Sequence, residues 1–310
     1  MAATATQKKA TIAREKVHFQ SGGERCAAWF YPGTNGACVV MAAGLAVAKE
    51  PGTDRFAERF NRAGFSVVAF DFRRLGESEG SPRQVVGLGD QQDDFTAAVG
   101  FARSREEVDP AKVAIWGFSL SGGHVFPVAA RDPQLGAAIA VSALADGLAS
   151  APNGFRHTTP LSSVRLMTRG ALDAIGGLIG RDPLLVPLAG ARGTVAALTT
   201  PDSLNGPKAL NPGNRYPEWQ QEVATRSALR IGLYRPGRYA ARIQCPLLVV
   251  APDGDGVAPQ SHAIRAGERA RRGEVVRIPG GHYAPYLDGH EPAVDVQLEF
   301  LRRRLVDPTT

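Results

Sequence analysis

The stretch VAIWGFSLSGGH, Val113 to His124, decides how the chain reads. Val113, Ala114, Ile115 and Trp116 form an unbroken apolar run that passes directly into Gly117, Ser119, Gly122 and Gly123. Such a run ending in small residues predicts a buried strand that closes on a sharp turn. A serine held on a strand-to-helix turn projects its hydroxyl above the sheet, and its neighbours must be small because the two backbones pass close together. The order here is Gly117-Phe118-Ser119-Leu120-Ser121, so a serine occupies the position where a second glycine is usual.

A serine nucleophile needs a base, and the base needs an acid to orient it. Downstream, Pro246 to Pro252 reads as a second buried strand and opens into Asp253-Gly-Asp255-Gly-Val-Ala-Pro259. Glu274 to Pro279 is a last short strand, followed by Gly280-Gly281-His282. The candidate catalytic residues are therefore Ser119, Asp255 and His282, in that chain order. Asp253 and Asp146 compete for the acid, and Ser121 for the nucleophile. Asp-x-x-x-Pro after the strand favours Asp255, and choosing Ser121 would put Ser119 where glycine is wanted. His124 lies on the helix after the turn and is expected to pack or hydrogen-bond there. His18, His157, His262 and His290 have no comparable context.

Working outward from the turn, strands and helices alternate, which predicts a parallel sheet with right-handed crossovers. Val17 to Phe19 and Cys26 to Tyr31 flank Ser21-Gly22-Gly23 and read as a hairpin. Ala37 to Ala43 is almost wholly apolar, as in a strand covered on both faces. Thr53 is placed to cap a helix bearing Phe56 and Phe60 and closed by Gly64, before a strand from Ser66 to Asp71. The acids and arginines of Asp71 to Gly80 are expected to form local ion pairs rather than to touch substrate. Phe95, Ala98, Val99 and Ala102 share one helical face. Gly136 to Ser142 is a sixth strand, after which the alternation stops.

From Asp146 to Arg235, Ser, Thr, Pro and Gly are abundant, and one long amphipathic segment runs from Leu161 to Ile179. Its stripe of Leu166, Met167, Leu172, Ile175, Leu178 and Ile179 is expected to pack on the core. The division that follows is a core domain of residues 1–145 and 236–310 with a cap at 146–235. Near the end, Val294, Leu298, Leu301 and Leu305 fall on one helical face.

The 310 residues are 44% hydrophobic and 21% charged, ordinary values for a globular chain with a substantial core. A net charge of +6 would suit a polyanionic partner. However, the arginines are scattered, and the densest cluster, Arg302 to Arg304, fits a solvated helix end. No nucleic-acid partner is expected. Cys26, Cys38 and Cys245 give neither a disulfide framework nor metal-ligand spacing, and buried thiols in a reducing compartment follow. Residues 1–11 read as a disordered tail. No run of about 18 apolar residues occurs, so a cytoplasmic protein without a membrane partner is expected.

Three phrases carry a resemblance: FAERFNRAGFSVVAFDFRRLGESEGSPRQ, WGFSLSGGH and PGGHYAPYL. With the serine, acid, histidine order, they make the chain similar to the α/β-hydrolase superfamily over nearly its whole length. More narrowly, it resembles bacterial hydrolases related to dienelactone hydrolases and X-prolyl dipeptidyl peptidases, and acyl-transferring relatives of polyketide pathways. The resemblance implies a mostly parallel eight-stranded sheet flanked by helices, with a mainly helical cap after strand six. It also implies an oxyanion hole built from the backbone N–H groups of Leu45 and Leu120. Such proteins often carry His-Gly after the third strand, where this chain has Ala43-Gly44.

The activity that follows is hydrolysis of an ester or thioester of a small-to-medium apolar acyl metabolite, with no cofactor and no metal. The alternatives are an acyltransferase of secondary metabolism, a lyase or C–C hydrolase, and a hydrolase-fold binding protein without turnover. The expected partner is the small-molecule acyl substrate, and self-association is left open.

Overall fold

The computed structural model describes residues 13–307, and the tail expected at residues 1–11 lies outside them. In chain order the elements begin with β1 (Glu15–Ser21), β2 (Glu24–Tyr31), β3 (Cys38–Ala42), α1 (Lys49–Arg62), β4 (Ser66–Phe70) and α2 (Leu88–Arg103). They continue with β5 (Val113–Phe118), α3 (Leu120–Arg131), β6 (Ala137–Val141), α4 (Gly147–Arg156), α5 (Pro160–Leu178) and β7 (Leu185–Pro187). Then follow α6 (Gly206–Leu210), β8 (Glu222–Ala224), α7 (Thr225–Ile231), β9 (Leu247–Pro252), α8 (Ser261–Arg269), β10 (Gly273–Ile278) and α9 (His290–Leu301).

Eight strands form one sheet in the order β1-β2-β4-β3-β5-β6-β9-β10. The β1–β2 and β2–β4 pairs are antiparallel and the remaining pairs parallel. Every residue of β3, β4, β5, β6 and β9 is buried. That is why those strands read as continuous apolar runs rather than alternating ones. Edge strand β10 is mostly half-exposed and correspondingly mixed in sequence. On one side, Trp116 packs against Phe56 of α1 at 5.1 Å between ring centres and donates its indole N–H to Gln297 of α9 over 2.6 Å.

Two local readings of the sequence are corrected. Thr53 does not cap α1. The helix starts a turn earlier, at Lys49, and Thr53 donates its hydroxyl to the Lys49 carbonyl from inside it. The first-turn amide is satisfied across the fold: Asp71, at the end of β4, accepts from the Lys49 N–H at 2.7 Å and from its Nζ at 2.8 Å. A local capping rule cannot see a partner supplied by another strand. The charged loop from Asp71 to Gly80 is held by such pairs, with Lys49 also on Glu77, Arg73 on Asp94 and Arg74 on Asp90.

The second correction concerns α5. Its inner face is Ser162, Gly170, Asp173 and Gly176, all buried, while Leu172, Ile175 and Leu178 are exposed. A Cβ at Gly170 would lie 2.9 Å from Leu229 of α7, and one at Gly177 would collide with the Arg226 guanidinium. Asp173 accepts from the Leu184 and Arg226 backbone N–H groups at 2.8 and 2.7 Å and pairs with the Arg226 side chain at 3.1 Å. The helix is thus fastened by small residues and one buried ion pair; of its apolar stripe Leu166 packs on the core, while Met167, Leu172, Ile175, Leu178 and Ile179 face outward. The residues between β6 and β9 stand outside the main sheet, and β7 and β8 form a small antiparallel pair of their own.

Candidate active site

The turn after β5 forces the serine into an unusual conformation. Ser119 has φ 59° and ψ −114°, a region costly for any residue with a Cβ. Its N–H donates to the Val141 carbonyl, and its own carbonyl accepts from Gly123 and Leu144, so neighbouring elements hold the strain in place. Position 117 admits only glycine, since a Cβ there would meet the Ser121 carbonyl carbon and oxygen at 2.4 and 2.3 Å. Ser121, where glycine is usual, is accommodated because its hydroxyl has a role. It donates to the Ala42 carbonyl at 2.6 Å and accepts from the Phe118 N–H at 3.1 Å, tying the end of β3 to the turn.

The three residues singled out from sequence come together. His282 Nε2 lies 2.9 Å from Ser119 Oγ, and its Nδ1 lies 2.8 Å from Asp255 Oδ2. A carboxylate can only accept, so Nδ1 carries the proton and Nε2 is free to accept from the serine hydroxyl. Asp255 is buried, yet each of its oxygens is met by donors. Oδ1 accepts from the Val257 and Ala258 N–H groups, and Oδ2 also accepts from Gln260 Nε2 at 2.9 Å. Desolvation of the charge is offset by these four contacts.

The rival groups are occupied elsewhere. Asp253 is on the surface with Arg277, and Asp146 caps α4 and pairs with Arg235. His124 is buried between Tyr234 and Gln91 at 2.8 and 2.9 Å, and burial pushes its imidazole down to about 3. His290 donates from Nδ1 to the Pro285 carbonyl. The three cysteines are free and buried, and burial raises each thiol, Cys26 and Cys245 to about 12.

His124 carries a consequence for stability. An imidazole neutral down to about pH 3 in the folded protein but basic near 6.5 when unfolded makes the unfolded state bind the extra proton in that window. Stability is therefore complete above about pH 6.5 and falls as the pH drops, by about 2 kcal/mol between pH 7 and 5. Urea midpoints at those two pH values should show this loss in the wild type and a clearly smaller loss in His124→Gln. Equal slopes would contradict it.

Sequence reasoning missed a residue that holds the His282 backbone from behind. Asp202, in the segment between β6 and β9, accepts from the His282 backbone N–H at 2.5 Å and from the Gly256 N–H at 3.3 Å. Ser142 donates its hydroxyl to the His282 carbonyl at 3.0 Å. The histidine backbone is gripped on both sides, and the acid loop shares one of the grips. Asp202 is placed to position the histidine. Asp202→Ala should lower kcat about ten- to a hundredfold with KM little changed, because a displacement of the order of 1 Å at the base is costly. Asp202→Asn keeps one acceptor oxygen and should recover most of the rate. If alanine and asparagine behave alike, the positioning role is wrong.

Beside Ser119 lies a cavity of about 230 Å³, walled by Leu45, Val47, Phe118, Leu188, Leu210 and Trp219 among others. A larger space of about 420 Å³ lies behind Trp219, lined by Glu50, Glu77, Arg83 and Arg215, and neither Ser119 nor His282 borders it. Ser119 borders the smaller cavity, and chemistry rather than size selects it. Leu45 follows Gly44 at the rim, and its N–H meets no protein acceptor among the described residues. Leu120 opens α3, where a first-turn amide has no intrahelical partner.

The profile of a family described as serine aminopeptidase, S33, matches residues 34–171. The quorum-quenching protein AidA of Acinetobacter baumannii is 37% identical over 93% of this chain and 94% of its own length. The polyketide transferase ATR5 of Stachybotrys chlorohalonatus is 26% identical over 96% of this chain and 99% of its own. Among solved structures, the α/β hydrolase GrgF from a Penicillium species superposes with a TM-score of 0.79 over 94% of this chain and 99% of that one, at 22% identity, a likeness of fold. The AidA likeness covers 93% of the chain and the family profile takes in the serine turn, and the chain accordingly belongs to the α/β-hydrolase superfamily.

Proposed function

We propose that the protein is a serine hydrolase that cleaves an ester or thioester with a small-to-medium apolar acyl portion. The observation that carries this reading is the relay of 2.9 and 2.8 Å from Ser119 through His282 to Asp255 at the wall of an apolar cavity. In the proposed reaction, His282 Nε2 takes the hydroxyl proton as Ser119 Oγ attacks the acyl carbonyl. The Leu45 and Leu120 amides stabilise the oxyanion, each contribution being worth about 10²–10³ in rate. His282 then protonates the departing alcohol or thiol. Water, deprotonated by the same imidazole, releases the acid and restores Ser119. Asp255 holds the tautomer and stabilises the cation formed at each step. No cofactor enters this sequence.

Residues 146–235 act as the cap, contributing Leu188, Leu210 and Trp219 to the cavity and Asp202 to the histidine. The buried free thiols favour a reducing, cytoplasmic setting. A second reading, acyl transfer in secondary metabolism, is favoured by the polyketide transferase among the relatives, since an alcohol or amine can discharge the same acyl-enzyme in place of water.

Intact-mass spectrometry after a fluorophosphonate probe tests the common step. One adduct is expected on the wild type, none on Ser119→Ala and a much slower one on His282→Ala. A folded wild type that takes no adduct would overturn covalent chemistry at Ser119. Product analysis with aliphatic esters and thioesters, with and without a competing alcohol, then separates hydrolysis from transfer.

A further inference from the structure

Helix α5 is built inside out for a helix of a free-standing globular protein. Its buried side is Ser162, Gly170, Asp173 and Gly176, whereas Leu172 is 58%, Ile175 60% and Leu178 87% exposed, with Leu161, Val164, Met167 and Ile179 exposed as well. At 100° per residue these apolar positions fall in one arc along the length of the helix, about 28 Å for its 19 residues. Arg165 and Arg169 fall together along one edge of that arc. Both are exposed, and neither is paired with a carboxylate among the described residues. Exposed Arg156 and Arg181 stand just beyond the two ends. Between residues 147 and 181 the one acid is Asp173, which is buried on Arg226. A contiguous apolar face of this kind marks an interaction surface.

We propose that this face docks the protein peripherally on an anionic phospholipid bilayer. Charge decides the occupant. An apolar arc with arginines at its margin suits the interfacial plane, where the leucines enter the acyl boundary and the guanidinium groups reach back to the headgroups. A second copy fits less well: an antiparallel two-fold contact would set Arg165 and Arg169 against their own counterparts, and a parallel one would set them against the opposite edge of the arc, which offers no acid. The protein lies on the bilayer and does not cross it: among the described residues no helix is long and apolar enough to span. The inference departs from the sequence-based expectation of no membrane partner, and it does not depend on the chemistry at Ser119.

The test is co-sedimentation of the full chain with vesicles of phosphatidylglycerol and phosphatidylcholine in equal parts, and with vesicles of phosphatidylcholine alone. Binding to the mixed vesicles is expected and should weaken in high salt. Leu172→Glu/Ile175→Glu should abolish it. Arg165→Gln/Arg169→Gln should weaken it about ten- to thirtyfold, in keeping with the contribution of an arginine near a charged surface. Both variants alter exposed positions and should keep the wild-type Tm and the wild-type rate on a soluble ester. Sedimentation of the wild type no greater than that of Leu172→Glu/Ile175→Glu would overturn the proposal, and so would a wild-type dimer in equilibrium sedimentation that this variant renders monomeric. The second outcome would assign the face to another copy of the chain.

Discussion

Ser119→Ala is expected to reduce kcat on any ester or thioester the protein turns over by about 10⁴- to 10⁶-fold, with KM nearly unchanged. The removed oxygen is the atom 2.9 Å from His282 Nε2, and without it there is no acyl-enzyme. The strained backbone at φ 59° is kept by its neighbours' hydrogen bonds, not by the side chain, so the variant should fold normally. What activity remains would come from substrate binding and the oxyanion amides acting on water. Steady-state kinetics beside a thermal melt provide the check. A variant that retains a tenth of the wild-type rate would exclude Ser119 as nucleophile. Full turnover without Ser119 but none without His282 would move the reading to lyase or C–C bond chemistry.

Asp255→Asn should cost about 10⁴ in kcat for a different reason. Asp255 accepts from His282 Nδ1, from Gln260 and from two backbone amides. An asparagine cannot accept on both sides. To keep the two backbone N–H groups on its oxygen, it must turn its amide nitrogen toward His282. The imidazole then moves its proton to Nε2, where it can no longer accept from the serine. The loss should appear equally in the rate of fluorophosphonate labelling, which requires the base but not a substrate of the right shape. A loss under tenfold would mean that another group orients the histidine.

The parts of this molecule legible in sequence are those whose causes are local or periodic. β3, β5 and β9 announce themselves because burial on both faces demands unbroken apolar runs. Ser119 is legible because the close approach at Gly117 permits no Cβ. Asp255 and His282 are legible because each follows the end of such a strand. Asp202 is not: 80 residues separate it from the His282 amide it accepts from, and no spacing rule links them. The start of α1 fails for the same reason, since its cap is the Asp71 carboxylate from β4. The stripe on α5 is legible as a stripe, but periodicity says only that a helix has an apolar side. Which side meets the protein is set by Gly170, Gly177 and the Asp173–Arg226 pair, which let α7 approach the other face.

The clamp of Asp202 on His282 also bears on how substrate enters. The 201–205 segment that carries Asp202 precedes Gly206 and Leu210 at the cavity. Any excursion of that segment that widens the entrance also withdraws the acceptor from the His282 amide. Admission and reactivity are therefore thermodynamically linked. In the proposed reaction an open molecule would be a poor catalyst, and an acyl group that drew the segment back down would restore the base in the same movement. A transplant of residues 146–235 from a relative would carry its own acceptor or leave the histidine without one, so under the proposed function selectivity and rate would not be exchangeable as separate modules.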